Sequence, residues 1–155
     1  MKIEEIRVPN PEDGEEALLA VIGWRADEGP PAMDSRPSFQ EIIPARESIQ
    51  AMVAAFPKGY KVEPHAHLPQ LRTTNETQEI LVVMTGTIHV DFYRTRPHRD
   101  GEWVCRRVLT AGDFVALLHG GHGVQVIADA RILEVKTGPY FGREFDKAPL
   151  RVNQF

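Results

Sequence analysis

Residues 77–93 read TQEILVVMTGTIHVDFY, and this stretch decides the fold class. Two runs rich in β-branched and aromatic residues, 79–84 and 87–93, lie on either side of Gly86. In the second run apolar and polar residues alternate, and successive side chains of a strand point to opposite faces. The stretch therefore predicts a sheet that has one face on a hydrophobic core.

Similar short runs fill much of the remaining chain, and breaks separate them. The 12 glycines and 12 prolines are spread along the sequence, which is typical of an all-β protein. Residues 13–20 have room for one or two helical turns. The other predicted strands are 18–24, 47–56, 103–109, 114–118, 124–128 and 131–137. Eight such runs fit a sandwich or a jelly roll.

Length and composition exclude several classes of protein. A chain of 155 residues with average hydrophobic and charged content predicts one domain, and its apolar runs fall short of the ~20 residues that span a bilayer. The N-terminus lacks the basic start and apolar run of a secretory signal, so we expect a cytoplasmic protein. A net charge of −4 gives no general attraction for nucleic acid. The single cysteine, Cys105, is expected to be a packed side chain rather than a nucleophile.

Histidine spacing indicates a metal site. On a strand, His65 and His67 of the His-Ala-His sequence share one face, about 6.5 to 7 Å apart, so both imidazoles can point at one ion. Glu79 begins an otherwise apolar run, where its charge needs a partner. His122 follows two glycines and is a candidate third imidazole.

These residues resemble the two motifs of the cupin superfamily. Gly59, His65-Ala66-His67, Glu79 and Gly86 are similar to the first motif, and Gly112-Asp113 with Gly120-Gly121-His122 to the second. The resemblance implies an all-β double-stranded β-helix, the cupin jelly roll. It implies a three-histidine, one-glutamate metal site at His65, His67, Glu79 and His122. A longer segment separates His67 from Glu79 than in the common pattern, and Leu118 stands where the second motif carries proline.

The chain is also similar to a narrower group of small single-domain cupins, some of which occur with polysaccharide and sugar-biosynthesis functions. Arg72, one of the residues that carry this similarity, is a candidate for bidentate binding of a carboxylate or phosphate through its guanidinium group. The alternative is a surface salt bridge. Glu134 and Lys136 line the pocket if their strand face points inward, and Tyr140 either covers the pocket or packs at a dimer edge. The predicted organisation is one domain, with an N-terminal strand and arm at 1–37, a barrel at 38–140 and a tail at 141–155.

The predicted cofactor is one divalent transition metal: Fe, Mn, Ni, Co, Zn or Cu. The predicted partners are a small polar ligand, such as a sugar or a carboxylate, and a second copy of the chain, with the arm from Asp27 to Ser38 as the pairing device. The sequence assigns no catalytic residue and leaves three functions open. They are a metal-dependent isomerase or oxygenase, a metal-independent sugar-nucleotide isomerase or epimerase with His67 or His122 as base and Arg72 on phosphate, and a non-catalytic binding module.

Overall fold

The structure is a computed structural model that describes residues 1–9, 14–25, 36–96 and 100–152, apart from the side chain of Arg96. Its described part is all-β, with nine strands and one four-residue helix. The elements are β1 (Lys2–Pro9), β2 (Glu16–Trp24), β3 (Ser38–Glu41), β4 (Met52–Ala55), β5 (Glu79–Arg96), β6 (Asp100–Thr110), β7 (Phe114–Leu117), β8 (Gly121–Lys136), α1 (Arg143–Asp146) and β9 (Arg151–Val152).

Strand β5 is the centre of a seven-stranded sheet because it pairs with three other strands. Along one edge it pairs with β7 through residues 79–82 and with β6 through residues 87–96. Along its other edge it pairs with β8 over almost its whole length. Strand β2 joins β7 to β1, and β9 adds to β6 as the parallel pair of an otherwise antiparallel sheet. The sheet is mixed and curls into a half-barrel, while β3 and β4 form a separate two-stranded sheet.

Two cores lie on opposite faces of the curled sheet. The larger core contains the alternating residues of β5 that the sequence pattern picks out, Ile88, Val90 and Phe92, together with side chains of β1, β2, β6 and β7. The smaller core lies where the segment that contains Ile42, Ile43 and Ile49 covers the opposite face. Because both of its faces are covered, β2 is buried from Leu18 to Gly23.

Gly86 lets β5 continue as one strand where the sequence suggests two. Its φ of +85° is costly for other residues, and a Cβ at this position would lie 2.2 Å from the carbonyl oxygen of Asp129 on β8. The β5–β8 register shifts between residues 83 and 88, so bulges bend the pair here without ending it. The runs 79–84 and 87–93 therefore belong to one strand, as do 124–128 and 131–136, and the predicted run 131–137 ends one residue earlier in the structure.

Several sequence expectations are confirmed and others need correction. Strands are confirmed at 18–24, 103–109 and 114–117, and the half-barrel agrees with the all-β prediction. The strand expected at 47–56 is restricted to Met52–Ala55, because residues 45–49 form turns and bends, and residues 16–20 are strand instead of helix. Most of the predicted arm from Asp27 to Ser38 lies outside the described residues. None of the helical structure in the described ranges is long and apolar enough to cross a membrane.

Candidate functional site

Glu79 lies where three strands of the half-barrel meet. It is the first residue of β5, and its backbone is flanked by Leu117 of β7 on one edge and Lys136 of β8 on the other. The chain turns back after Leu117 and enters β8 at Gly121, which brings the His122 imidazole to the same place. The Nε2 atom of His122 is 3.4 Å from Oε2 of Glu79. The sheet topology therefore assembles this carboxylate–imidazole pair.

Two lysines complete the surroundings of the Glu79 carboxylate. The Nζ atoms of Lys136 and Lys147 are each 3.5 Å from its Oε1 atom. Lys136 also pairs with Glu134, and its ammonium lies 5.0 Å from the centroid of the Tyr140 ring. Lys147 follows α1 directly, so the C-terminal segment supplies one wall of the site.

Glu79 stays ionised because cationic and hydrogen-bonding groups surround it. The contact with His122 contributes most to lowering its pKa to about 2, and the charges of Lys147 and Lys136 lower it further against the opposing effect of burial. A carboxyl group with this pKa is a poor proton donor or acceptor near neutral pH. Its chemical role is to orient and neutralise the groups around it.

A cavity of about 470 Å³ opens beside this carboxylate. This volume lies in the range of small-molecule sites. Its lining combines carboxylates, ammonium groups, imidazoles and two exposed aromatic rings. The lining residues are Asn75, Glu76, Thr77, Glu79, Leu117, Leu118, His119, Gly120, Gly121, His122, Lys136, Tyr140, Phe145, Asp146, Lys147, Ala148 and Leu150.

The His-Ala-His sequence lies in a long irregular segment, residues 56–78, and not on a strand. Residues 58–77 are all exposed. The rings of His65 and His67 are 5.4 Å apart, and Nδ1 of His65 lies 3.0 Å from the carbonyl oxygen of Glu63. That contact favours the tautomer with a proton on Nδ1, which leaves Nε2 of His65 available as a ligand atom.

The predicted metal ligands therefore form two separate pairs. Glu79 and His122 are together at the cavity, whereas His65 and His67 are among the exposed residues and do not line it. The described residues contain no group of three or more His, Cys, Asp or Glu side chains arranged to hold a metal ion. Two ammonium groups already face Glu79, and they would repel a divalent cation there. The arrangement of these residues does not fit a metal ion bound to Glu79.

The predicted ligand-binding residues also divide into two groups. Lys136 and Tyr140 line the cavity, and Glu134 lies behind Lys136 as its ion-pair partner. The face of β8 that carries Lys136 therefore points inward. Arg72 lies in the exposed 56–78 segment and is not among the described residues that line the cavity.

Sequence reasoning did not assign Lys147 to the site or find a second cluster around His119. His119 lies between two carboxylates, with Nδ1 3.1 Å from Oε2 of Glu76 and Nε2 3.2 Å from Oε2 of Glu47. These contacts join chain positions 43 and 72 residues apart, so no local pattern marks them. The contact of Lys147 with Glu79 likewise joins positions 68 residues apart (147 − 79), so no local pattern marks it.

Comparisons with known proteins leave the family of this chain open. No protein-family model, no curated protein and no solved structure matches it.

Proposed function

We propose that this protein binds a small hydroxyl-rich molecule, such as a monosaccharide or a sugar acid, in the cavity beside Glu79. The observation that carries the proposal is the set of nitrogen groups around one buried carboxylate: the His122 imidazole and the ammonium groups of Lys136 and Lys147 all contact Glu79 within the cavity wall. Because each of these groups contacts the same carboxylate, together they form a preorganised polar surface in the cavity wall.

The balance of charges favours a hydroxyl-rich ligand over a simple anion. The lysines of the lining are matched by carboxylates, namely Glu79, Glu76 and Asp146, so the cavity has no large excess of positive charge. A hydroxyl group both donates and accepts hydrogen bonds, so it can use ammonium donors and carboxylate acceptors at once. Tyr140 and Phe145 are exposed rings in the lining, and the apolar face of a sugar ring packs on such rings.

Ligand-observed NMR with D-glucose, D-glucuronate and inorganic phosphate tests the proposal. We expect saturable binding of at least one of the two sugars, and weakening by about tenfold or more in Lys147→Met, because this change removes a charged donor. Lys61→Met is the matched control, since Lys61 pairs with Glu63 on the exposed 56–78 segment. Binding of phosphate without binding of either sugar would overturn the proposal that the cavity takes a hydroxyl-rich ligand. So would the absence of binding by either sugar at about 10 mM, where even a Kd of about 1 mM gives near saturation.

The Glu79–His122 pair favours a second candidate, a metal-independent isomerase or epimerase. An ionised carboxylate that faces one nitrogen of an imidazole holds the ring in place, which is the arrangement of a general base and its orienting partner. His122 lies in the cavity wall, where a bound sugar would meet it. Exchange of a substrate C–H proton with deuterated solvent, lost in His122→Gln while ligand binding persists, would support this activity. Unchanged exchange in that variant would exclude His122 as the base.

A third candidate is a cupin jelly roll that binds a metal ion through the exposed His65 and His67, without Glu79. Motif glycines Gly59, Gly86, Gly112 and Gly120 all have positive φ, as turn or close-approach positions require, which supports the cupin assignment. The tautomer of His65 supports metal binding by the exposed histidine pair. Elemental analysis of protein purified without chelator, beside the double variant His65→Ala and His67→Ala, tests it. Stoichiometric metal lost in the variant would support the site, and no metal in either protein after soaking with Fe(II), Mn(II) and Zn(II) would exclude it.

A further inference from the structure

Two cavities meet at the His119 cluster, which consists of His119, Glu47 and Glu76. A second cavity of about 380 Å³ adjoins the first at His119, and its lining includes Glu47, Ser48, Thr73 and Gln78. His119 and Glu76 line both cavities. Their contact is therefore part of the partition between the candidate ligand cavity and its neighbour.

One side of this partition is firmly held. Gln78 is buried, its Nε2 donates to Oε2 of Glu47 at 3.0 Å, and its Oε1 accepts from the backbone N–H of Ile49 at 2.8 Å. The backbone of Gln78 exchanges hydrogen bonds with Thr137 at the end of β8. The Glu47 carboxylate is thus fixed to the sheet, and His119 is attached to it.

On the other side of the partition, the 73–77 segment is attached through the contact between His119 and Glu76. Glu76 is exposed and belongs to the last residues of the irregular 56–78 segment. Each ring nitrogen of His119 faces one carboxylate, so only the doubly protonated imidazolium can donate to both. A neutral ring would turn a lone pair toward one of them. Because Glu47 is also held by Gln78, we expect Glu76 to be the partner that is released.

We infer that His119 is a pH-sensitive latch: when it is protonated it closes the 73–77 segment against the sheet, and when it loses the proton the partition between the two cavities opens. The inference does not depend on which ligand the larger cavity binds. Both carboxylates raise the pKa of His119, Glu76 more than Glu47, so the latch is closed below that raised pKa. Both positive and negative groups lie in the wider surroundings of His119. They are Arg46, 3.6 Å from Glu47, and across the larger cavity Glu79, His122, Lys136, Asp146 and Lys147.

NMR spectroscopy of the unliganded protein tests the latch in two ways. The first is the titration of the His119 ring, which should have its midpoint above about pH 6.5, the ordinary imidazole value. In Glu76→Gln the midpoint should move to lower pH, while Glu63→Gln, which removes a carboxylate elsewhere on the same segment, should leave it in place. A midpoint that Glu76→Gln does not move would overturn the inference.

The second is the backbone order parameter of residues 73–77. We expect values near 0.85 below the His119 midpoint and a fall to below about 0.6 above it. In His119→Gln, which keeps one donor but cannot carry a charge, the values should be low at both pH values, and Glu76→Gln repeats this test if the first variant does not fold. Order parameters that stay constant across the midpoint, or that still fall with pH in His119→Gln, would overturn the latch.

Discussion

Strand β5 and the 56–78 segment that precedes it carry the two halves of one predicted motif, yet they differ in almost every physical respect. In β5 the backbone is bonded along both edges and Glu79 is buried among charged partners. In the 56–78 segment His65, His67 and Arg72 are exposed. The comparison shows that spacing in the sequence brings side chains together only where sheet hydrogen bonds and a core fix the backbone. Three predictions test this difference, and each compares a substitution in β5 with a similar substitution in the 56–78 segment.

The largest contrast is expected from removal of an apolar side chain. Phe92 is 1% exposed at the centre of the larger core, so Phe92→Ala should lower the free energy of unfolding by about 4 kcal/mol. Leu71 is 98% exposed, and Leu71→Ala should change it by no more than about 0.5 kcal/mol. Urea denaturation measures both. A cost above about 2 kcal/mol for the Leu71 change would mean that the 56–78 segment packs against the sheet.

A smaller contrast is expected between two glycines that share a φ of +85°, Gly86 in β5 and Gly59 in the exposed segment. The left-handed conformation costs an alanine about 1 kcal/mol at either position. At Gly86 the new Cβ would also overlap the Asp129 carbonyl, whereas at Gly59 nothing lies within 4 Å. We expect Gly86→Ala to cost about 3 kcal/mol and Gly59→Ala about 1 kcal/mol in the same denaturation experiment. Equal costs would show that the close approach of β5 and β8 does not constrain the fold.

The smallest contrast is expected in the pH dependence of stability. The pKa of Glu79 is lowered to about 2 in the folded protein, so the unfolded chain takes up the proton more readily. Its stabilising effect is therefore complete above about pH 4.5 and is lost as the pH falls toward 2. The lowered pKa corresponds to roughly 3 kcal/mol, of which we expect about 2 kcal/mol because the lysine partners are partly exposed and solvent screens their charges. The wild type should lose this much more stability than Glu79→Gln over that pH range. Glu63→Gln, on the exposed segment, should follow the wild type, and a Glu79→Gln profile parallel to the wild type would contradict the ion-pair network.

The sequence predicted the parts of the fold and site that depend on local regularity. Alternation in 87–93 identified the core face of β5. For β8 the sequence left two alternatives open, and Lys136 lies in the cavity lining, as the inward alternative requires. His65 and His67 would share one face only on a strand, and residues 58–77 form no ladder, whatever the spacing of the histidines. Contacts such as His119 with Glu47 and Lys147 with Glu79 are set by the curl of the sheet, which no short pattern encodes.

The short strand β7 has a consequence for the order of assembly. It has four residues, and it alone joins the β1–β2 hairpin to β5 in the described part of the chain. The hairpin is synthesised before its partner at Phe114–Leu117, which follows only after β5 and β6. Until then the apolar edge of β2 has no strand to pair with, which is a condition that favours aggregation and chaperone binding. The interval between the synthesis of β2 and that of β7 is therefore the stage at which this chain most needs protection in the cell.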